Sequence, residues 1–241
     1  MSPVISSDGR WWWDGTRWRS RVVEGELGLF WFTETPDWAP RVLLIGLIGL
    51  IPIVGSINLY GWVLAATEMV RQGWRELPPA GFGYLERGVA PFVVGLVYGL
   101  VVALVIVFWA VIALVVGLSG SSHVPLAVAI GAVDLLVLLV IWLVGLYAFA
   151  ALLMCADRLG AGRSLNPALL WRAARANHSV SMRFALTYLV AAIAYAAVTA
   201  PLGFLIPGAG LLTSIGLPAI FALVVPILAR FNVESTSAPA R

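Results

Sequence analysis

Long apolar runs with almost no charge limit what this chain can fold into more than any other feature of its sequence. Four such runs lie at 92–118, 124–156, 184–206 and 211–229, and Asp134 is the one charged residue inside them. About 20 apolar residues are enough for a helix to cross a bilayer. Only 11% of the chain is charged, against about 25% in soluble domains, so a water-soluble fold is excluded. The sequence predicts an all-α, polytopic transmembrane helix bundle with four full spans.

The preceding apolar segment, at 42–70, is interrupted in its middle by Pro52, Gly55 and Asn58. Proline breaks a helix because it lacks the backbone N–H and its ring clashes with the preceding turn. The segment therefore forms either one kinked span or a broken, re-entrant hairpin of two half-helices. A membrane tolerates the hairpin only where protein covers the break.

The placement of arginines sets the expected orientation. All basic residues are arginines, and they concentrate in the connections at 71–90 and 157–183, whereas 119–123 and 207–210 hold none. The positive-inside rule places arginine-bearing segments in the cytoplasm, so the four spans alternate with the C-terminus inside. Residues 10–41 bear arginines too, which predicts a cytoplasmic N-terminus and favours the hairpin. The alternative is five spans with the N-terminus outside.

The N-terminal residues form a tryptophan-rich module. Asp-Gly dipeptides at 8–9 and 14–15 are typical of tight turns, and the aromatic residues around them favour strands. We expect a small β-hairpin or a three-stranded meander within residues 1–24. The candidate interaction residues of this module are Trp11, Trp13 and Trp18. The remaining predicted domains are an interfacial linker at 25–40, a transmembrane helical domain at 41–232 and a polar C-terminal tail at 233–241.

An internal repeat relates residues 59–73 to residues 146–160. The implied unit is a helix end, a short cytoplasmic helix and an outgoing span. Chance similarity between leucine- and alanine-rich segments is the alternative. The matched residues are Leu59 and Leu146, Tyr60 and Tyr147, Arg71 and Arg158, and Gly73 and Gly160.

Asp134 lies near the middle of its predicted span, about 15 Å from the end. An ionised carboxylate at that depth is costly, so we expect the group to be protonated, paired or in contact with water. Tyr195 and Thr199 share one face of the next span because they are one helical turn apart, and we expect Asp134 to hydrogen-bond one of them. The carboxyl group either relays protons or cations, or it is a protonated acid that joins two helices.

Residues 164–178 have the pattern of a short amphipathic helix, with Asn166 as its N-cap and Pro167 in its first turn. Such a helix lies in the headgroup plane, where its apolar and basic sides are both satisfied. It either contacts anionic lipid or is an ordinary basic connector. The candidate interfacial lipid contacts are Trp171, Arg172 and Arg175.

Residue types that support catalysis or metal binding are missing or scattered. The chain has no lysine, no HExxH motif and no pair of cysteines, which excludes P-loops, Schiff bases and the common zinc motifs. His123 and His178 lie on opposite sides of the membrane in the predicted topology. We therefore expect no enzyme, no catalytic residue, no metal and no cofactor. The basic residues orient the spans, so we expect no nucleic acid partner.

These patterns predict an integral membrane protein of unknown molecular function, and the arginine-only composition suggests a bacterial cytoplasmic membrane. The favoured function is a non-enzymatic scaffold or interaction protein. The alternative is a small transporter or channel component that uses Asp134. The expected partners are the lipid bilayer, anionic lipid at the cytoplasmic face, and a protein bound through the N-terminal module.

Residues 41–79 resemble the opening of a known membrane family, called domain of unknown function 4013. The residues that carry the resemblance are Ile51, Pro52, Val54, Gly61, Trp62, Arg71, Gly73, Leu77 and Pro78. The layout of the later apolar hairpin and cytoplasmic helix extends the resemblance over about 41–232. The family has no assigned activity, so it implies a helical membrane domain and no chemistry. Residues 8–18 resemble the WDG-x-x-W modules of actinobacterial and related membrane proteins, which also lack a defined function.

Overall fold

The structure is a computed structural model, and the part of the chain that it describes is mainly helical. The described residues are 4–6, 11–13, 18–20, 28, 30–35, 37–118, 124–205 and 210–233. The helices are α1 (Trp38–Ile48), α2 (Val54–Arg71), α3 (Leu85–Leu118), α4 (Val124–Ser164), α5 (Pro167–Ala176), α6 (His178–Leu205) and α7 (Gly210–Ala229). A short 3₁₀ helix, Trp31–Glu34, precedes α1.

Three short strands lie ahead of the helices: β1 (Val4–Ile5), β2 (Trp11–Trp13) and β3 (Trp18–Ser20). They pair antiparallel in chain order, with Trp13 opposite Val4 on one side and Trp18 on the other. The predicted fold class is wrong in having a two-stranded hairpin, because β1 adds a third strand. The central strand then has hydrogen-bonded neighbours on both sides, which a hairpin lacks.

The segment at 42–70 is broken into α1 and α2 by a turn at 49–53. Ile53 in this turn has a φ of 65°, a conformation that is strained for a β-branched residue. Gly55 allows α2 to start directly against the end of α1, since a Cβ there would overlap the carbonyl oxygen of Ile48. The turn therefore depends on tight backbone contact as well as on Pro52.

The two ends of this segment meet at one loop, residues 72–84. The Leu77 backbone N–H donates to Thr35 Oγ1 at 3.3 Å, and Arg41 donates to the Leu77 carbonyl. Residues just before and at the start of α1 thus contact the loop that follows α2. The segment enters and leaves at the same end of the bundle, which is the arrangement of a helical hairpin.

Three helices in the described ranges are long and apolar enough to cross a membrane: α3, the 128–164 part of α4, and the 178–201 part of α6. The prediction of four full spans is therefore wrong. The predicted fourth span lies on α7, whose described side chains from Gly216 to Ala229 form only a short apolar helix. Phe221, Val224 and Leu228 on α7 are buried, because α1, α2 and α6 pack around it.

The protein core lies at one end of the bundle, where the 72–84 loop, α5 and the last turn of α7 meet. We call it the arginine end, and the opposite end, where α3 ends and α4 begins, the far end. The largest fully buried side chains are Trp31, Trp62, Phe184, Phe231, Ile45, Leu64, Leu77, Leu153, Met154, Leu228, Val63 and Val94. Toward the far end the spans are bare: 0% of the most apolar stretch of α3 is buried, and 17% and 11% of those of α4 and α6.

Two glycines let α2 and α3 cross closely. A Cβ on Gly61 would overlap the carbonyl oxygen of Tyr84, and one on Gly88 would overlap the carbonyl oxygen of Ile57. Small residues at helix crossings allow backbones to approach, which is the usual way that membrane helices gain packing energy. The α2–α3 crossing is thus specified by glycine on both helices.

The structure supports the internal repeat at its glycines. Gly73 and Gly160, which the alignment pairs, have φ values of 87° and 79°, and no other glycine of the described ranges has a positive φ. Gly73 ends α2 in a Schellman motif, with Gly73 N–H donating to Val70 O and Trp74 N–H to Met69 O, both at 3.0 Å. Gly160, with φ 79° and ψ 168°, interrupts the helical backbone inside α4. Both copies therefore break the incoming helix at a glycine, whose missing side chain allows this conformation.

Candidate functional site

Four charged side chains form a cluster at the arginine end, and we call it the charge cluster: Glu68, Arg87, Asp157 and Arg158. Arg87 Nε and Nη2 donate to the two carboxylate oxygens of Asp157 at 2.7 and 2.9 Å. Arg158 Nη2 donates to Glu68 Oε2 at 2.7 Å. Its Nε lies 3.8 Å from Asp157 Oδ2. The cluster therefore joins α2, α3 and α4.

Asp157 is the most enclosed member of the charge cluster, with 7% of its side chain exposed, against 33% for Arg87. The bidentate geometry matches the planar guanidinium to the carboxylate and is the strongest form of an arginine–carboxylate pair. No pattern in the sequence predicts the charge cluster. The available signal was that Asp157 is the one acid among the arginines of the 157–183 connection, although the sequence does not show which arginine it meets.

Arg71 and Asn177 hold the end of α7. Arg71 donates from Nε to the Ala229 carbonyl at 2.9 Å and from Nη2 to the Phe231 carbonyl at 2.6 Å. The last carbonyls of a helix lack partners within the helix, and a basic side chain satisfies them. Burial lowers the pKa of Arg71 from its usual value, and the charge of Arg158 lowers this pKa further. These donated bonds offset the cost of that burial.

Asn177, between α5 and α6, binds both backbone groups of Asn232, the residue that follows Phe231. Its Nδ2 donates to the Asn232 carbonyl at 2.9 Å, and the Asn232 N–H donates to its Oδ1 at 2.8 Å. Phe231 is buried beside it, with 2% exposure. The segment after α7 is therefore fixed in place at the arginine end.

Trp31 fills a gap in the hydrogen bonding of α7. Pro226 lacks the N–H that would bond the carbonyl of Ala222, four residues earlier. Trp31 Nε1 instead donates to that carbonyl at 2.8 Å, in a buried position. The 3₁₀ helix is in this way joined to the core of the bundle.

Asp134 is not brought into the predicted hydrogen bond. Its Oδ1 is buried and has no hydrogen-bond partner in the part of the chain that the structure describes. Thr199 donates from Oγ1 to the Tyr195 carbonyl of its own helix at 2.9 Å, and the Tyr195 hydroxyl bonds the backbone of Gly216. The hydroxyl end of the Tyr195 ring also packs directly against Gly216, where a Cβ would overlap it.

The predicted amphipathic helix is α5, and its start is confirmed. Asn166 Oδ1 accepts from the backbone N–H groups of Ala168 and Leu169 at 3.0 and 3.3 Å, and Pro167 is the first helical residue. The predicted lipid contacts lie near one another: the guanidinium carbon of Arg175 lies 5.1 Å from the centroid of the Trp171 ring. Arg172 Nε donates to the Ala168 carbonyl of the same helix at 3.3 Å.

Trp13, Trp11 and Trp18, the predicted interaction residues, lie on β2 and β3, and Trp13 exposes 38% of its surface. Among the described residues, no group of three or more His, Cys, Asp and Glu is placed to hold a metal ion. His178 is instead bonded to the Tyr147 hydroxyl, at 2.9 Å from its Nδ1.

The described fold, with three apolar helices of spanning length around a packed end, is that of a helical membrane protein. Residues 44–207 match the family described as Protein of unknown function (DUF4013). The chain belongs to this family, and the predicted resemblance is confirmed. No curated protein and no solved structure matches the chain. The family carries no assigned activity.

Proposed function

We propose that this chain is a non-enzymatic scaffold or interaction protein of a bacterial cytoplasmic membrane, with its arginine end and both termini in the cytoplasm. The observation that carries the proposal is the charge cluster. Its four side chains are engaged with one another, so they fix the ends of α2, α3 and α4. A fixed, charged end is suited to holding a partner rather than to chemistry.

The proposed orientation can be tested by cysteine labelling in intact cells. The native Cys155 is buried, so single introduced cysteines can be read against a low background. We expect Ile5→Cys to react with an impermeant maleimide only after permeabilisation, whereas Ser122→Cys, in the predicted outer loop, reacts without it. The reverse pattern, or external labelling at both positions, would contradict the orientation.

The scaffold proposal can be tested by photocrosslinking in cells. A photoreactive residue at Trp13 or Arg172 lies on the proposed cytoplasmic face, and the same group at Leu126, which is 53% exposed, lies at the far end as the control. We expect one discrete protein adduct from a cytoplasmic position and none from Leu126. Equal adducts at all positions, or none at any, would contradict the proposal.

We also propose that α5 lies at the level of the inner headgroups. Trp171 and Arg175 support this, because an amphipathic ring stacked on a cation is suited to the interface between water and lipid. We expect an aqueous quencher to reduce the fluorescence of Trp171 less in vesicles that contain anionic lipid than in neutral vesicles. Equal protection in both vesicles would leave α5 as an ordinary connector.

A transporter or channel component that uses Asp134 is the second candidate, because Oδ1 of this carboxyl is buried without a partner in the described ranges. Proteoliposomes that contain a pH-sensitive dye separate the two candidates. A scaffold gives no proton flux above empty liposomes. A transporter gives a flux that Asp134→Asn abolishes while thermal stability is unchanged, and that result would overturn the scaffold proposal.

A further inference from the structure

An apolar groove of about 680 Å³ runs between α6 and α7. Leu186, Val190 and Ala194 form its α6 wall, and aromatic side chains close its edge. Its volume is in the range of sites for small molecules. In a lipid environment such a groove is filled, and the occupant has to match both its apolar walls and the charge at its ends.

The register of α6 and α7 is fixed by contacts along their length. Tyr195 lies on Gly216, the rings of Tyr188 and Phe221 are 5.6 Å apart, and Asn177 bonds Asn232. The two helices therefore run antiparallel, and each step along α6 is matched by one step back along α7. By this register, Arg183 on α6 is level with Ile227 on α7, and Arg230 follows within one turn, about 4–5 Å further along.

Both arginines stand on the groove face of their helices. On α6, groove-lining residues follow Arg183 by three, four and seven positions. On α7, Arg230 follows the lining residue Leu223 by seven positions. Residues at these spacings share one face of a helix. Both arginines are exposed. The described part of the chain gives neither of them an ion-pair partner. The groove therefore has apolar walls and two available positive charges at its arginine end.

Aromatic side chains indicate how deep in the membrane the arginine end of the groove lies. Phe30, Phe32 and Trp38 line the groove, and the bond from Trp31 to the Ala222 carbonyl places this group about two turns from Arg230. Aromatic rings are enriched at the boundary between headgroups and acyl chains. The two arginines thus come at the level where lipid phosphates lie.

We propose that the α6–α7 groove binds one anionic phospholipid, with an acyl chain along the groove and the headgroup phosphate between Arg183 and Arg230. Arginine binds phosphate through several N–H donors at once, and the apolar walls match a hydrocarbon chain. This inference deepens the proposed function, since it names a lipid held at the arginine end. It does not depend on which side of the membrane that end faces.

The test is lipid retention by the purified full-length chain in mild detergent, read by native mass spectrometry after addition of phosphatidylglycerol or phosphatidylcholine. We expect one phosphatidylglycerol to be retained, and Arg183→Gln with Arg230→Gln to weaken retention about tenfold or more. The matched control is Arg19→Gln, on β3, with Arg163→Gln, at the end of α4; it removes the same charge away from the groove and from α5 and should leave retention unchanged. Equal loss in both double variants would overturn the proposal, because binding would then follow net charge alone.

The acyl chain has its own test. Ala194→Trp fills the groove and should abolish retention, whereas Ala196→Trp, on the opposite face of α6, should not. If Ala194→Trp does not give a monodisperse protein, Ala191→Leu narrows the same wall and carries the same expectation. Three outcomes would each overturn the proposal. They are retention of lipid by a blocked groove, binding of glycerol phosphate as tight as that of the lipid, and a dimer in place of bound lipid. Cysteine labelling and crosslinking test the proposed function separately from these outcomes.

Discussion

The arginine end and the far end of this molecule contrast in how their apolar residues are used. At the arginine end, side chains such as Leu153 are fully buried among protein, while at the far end Leu104, on α3, is 63% exposed. Both regions are rich in the same residue types. Their difference shows that apolarity in this chain serves two solvents, the protein interior and the lipid.

Polar contacts follow the same division. The charge cluster, the contacts of Arg71 with α7 and those of Asn177 with Asn232 all lie at the arginine end. Lipid provides little hydrophobic drive for helices to associate, so packing and hydrogen bonds have to do so. The arginine end therefore holds the fold together, and the spans extend from it into the membrane.

The largest expected effect comes from removing a buried leucine. Leu153→Ala should lower the free energy of unfolding by about 2–5 kcal/mol, because it leaves a cavity in a packed core. Its control is Leu104→Ala, at the lipid-facing position, with an expected change below about 0.5 kcal/mol. Denaturation of both variants in mild detergent measures the difference. Equal losses would show that the far end is packed by something not present in the monomer.

A smaller effect is expected from the charge cluster. Asp157→Asn should cost roughly 2–4 kcal/mol, because it leaves Arg87 without its carboxylate in a half-buried position. The control is Glu34→Gln, whose pair with Arg75 at 3.4 Å is more exposed, with an expected cost of about 0–1 kcal/mol. Thermal unfolding followed by circular dichroism compares the two. A neutral Asp157→Asn would mean that the cluster does not fix the helix ends.

The third contrast lies within one helix. Gly88→Ala should destabilise the protein by about 1–3 kcal/mol, since the added methyl group meets the backbone of α2. Gly99→Ala, on the same helix, has open space around it and should be neutral or slightly stabilising, because alanine is the better helix former. A stabilising Gly88→Ala would show that the helices cross further apart than the structure has them.

The sequence predicts helices well in this chain, and for a clear reason. A run such as 92–118 without charge can satisfy its backbone in lipid only as a helix, and Asn166 followed by Pro167 specifies where α5 begins. The sequence does not predict that α7 is enclosed by protein. A helix that is apolar on all sides fits both a lipid and a protein environment, and tertiary packing alone decides between them.

Within the candidate site, contacts inside one helix can be predicted from the sequence, whereas contacts between helices cannot. The neighbouring positions of Trp171 and Arg175 could be predicted because four residues separate them on one helix. The pair of Arg87 and Asp157 could not, because it depends on how α3 and α4 are aligned, and several arginines were equally available. Glu68 was likewise hidden among apolar residues, although its partner, Arg158, is the repeat counterpart of Arg71.

The smallest expected effect concerns Asp134, toward the far end. Asp134→Leu should leave the free energy of unfolding within about 0.5 kcal/mol of the parent or raise it, because Oδ1 makes no hydrogen bond among the described residues and a carboxyl group is costly in lipid. Thermal unfolding in detergent, beside Asp157→Asn, measures it. A loss as large as that of Asp157→Asn would mean that Asp134 has a partner that joins helices at the far end. The division between an end joined by the charge cluster and a far end whose helices are held by other means would then be wrong.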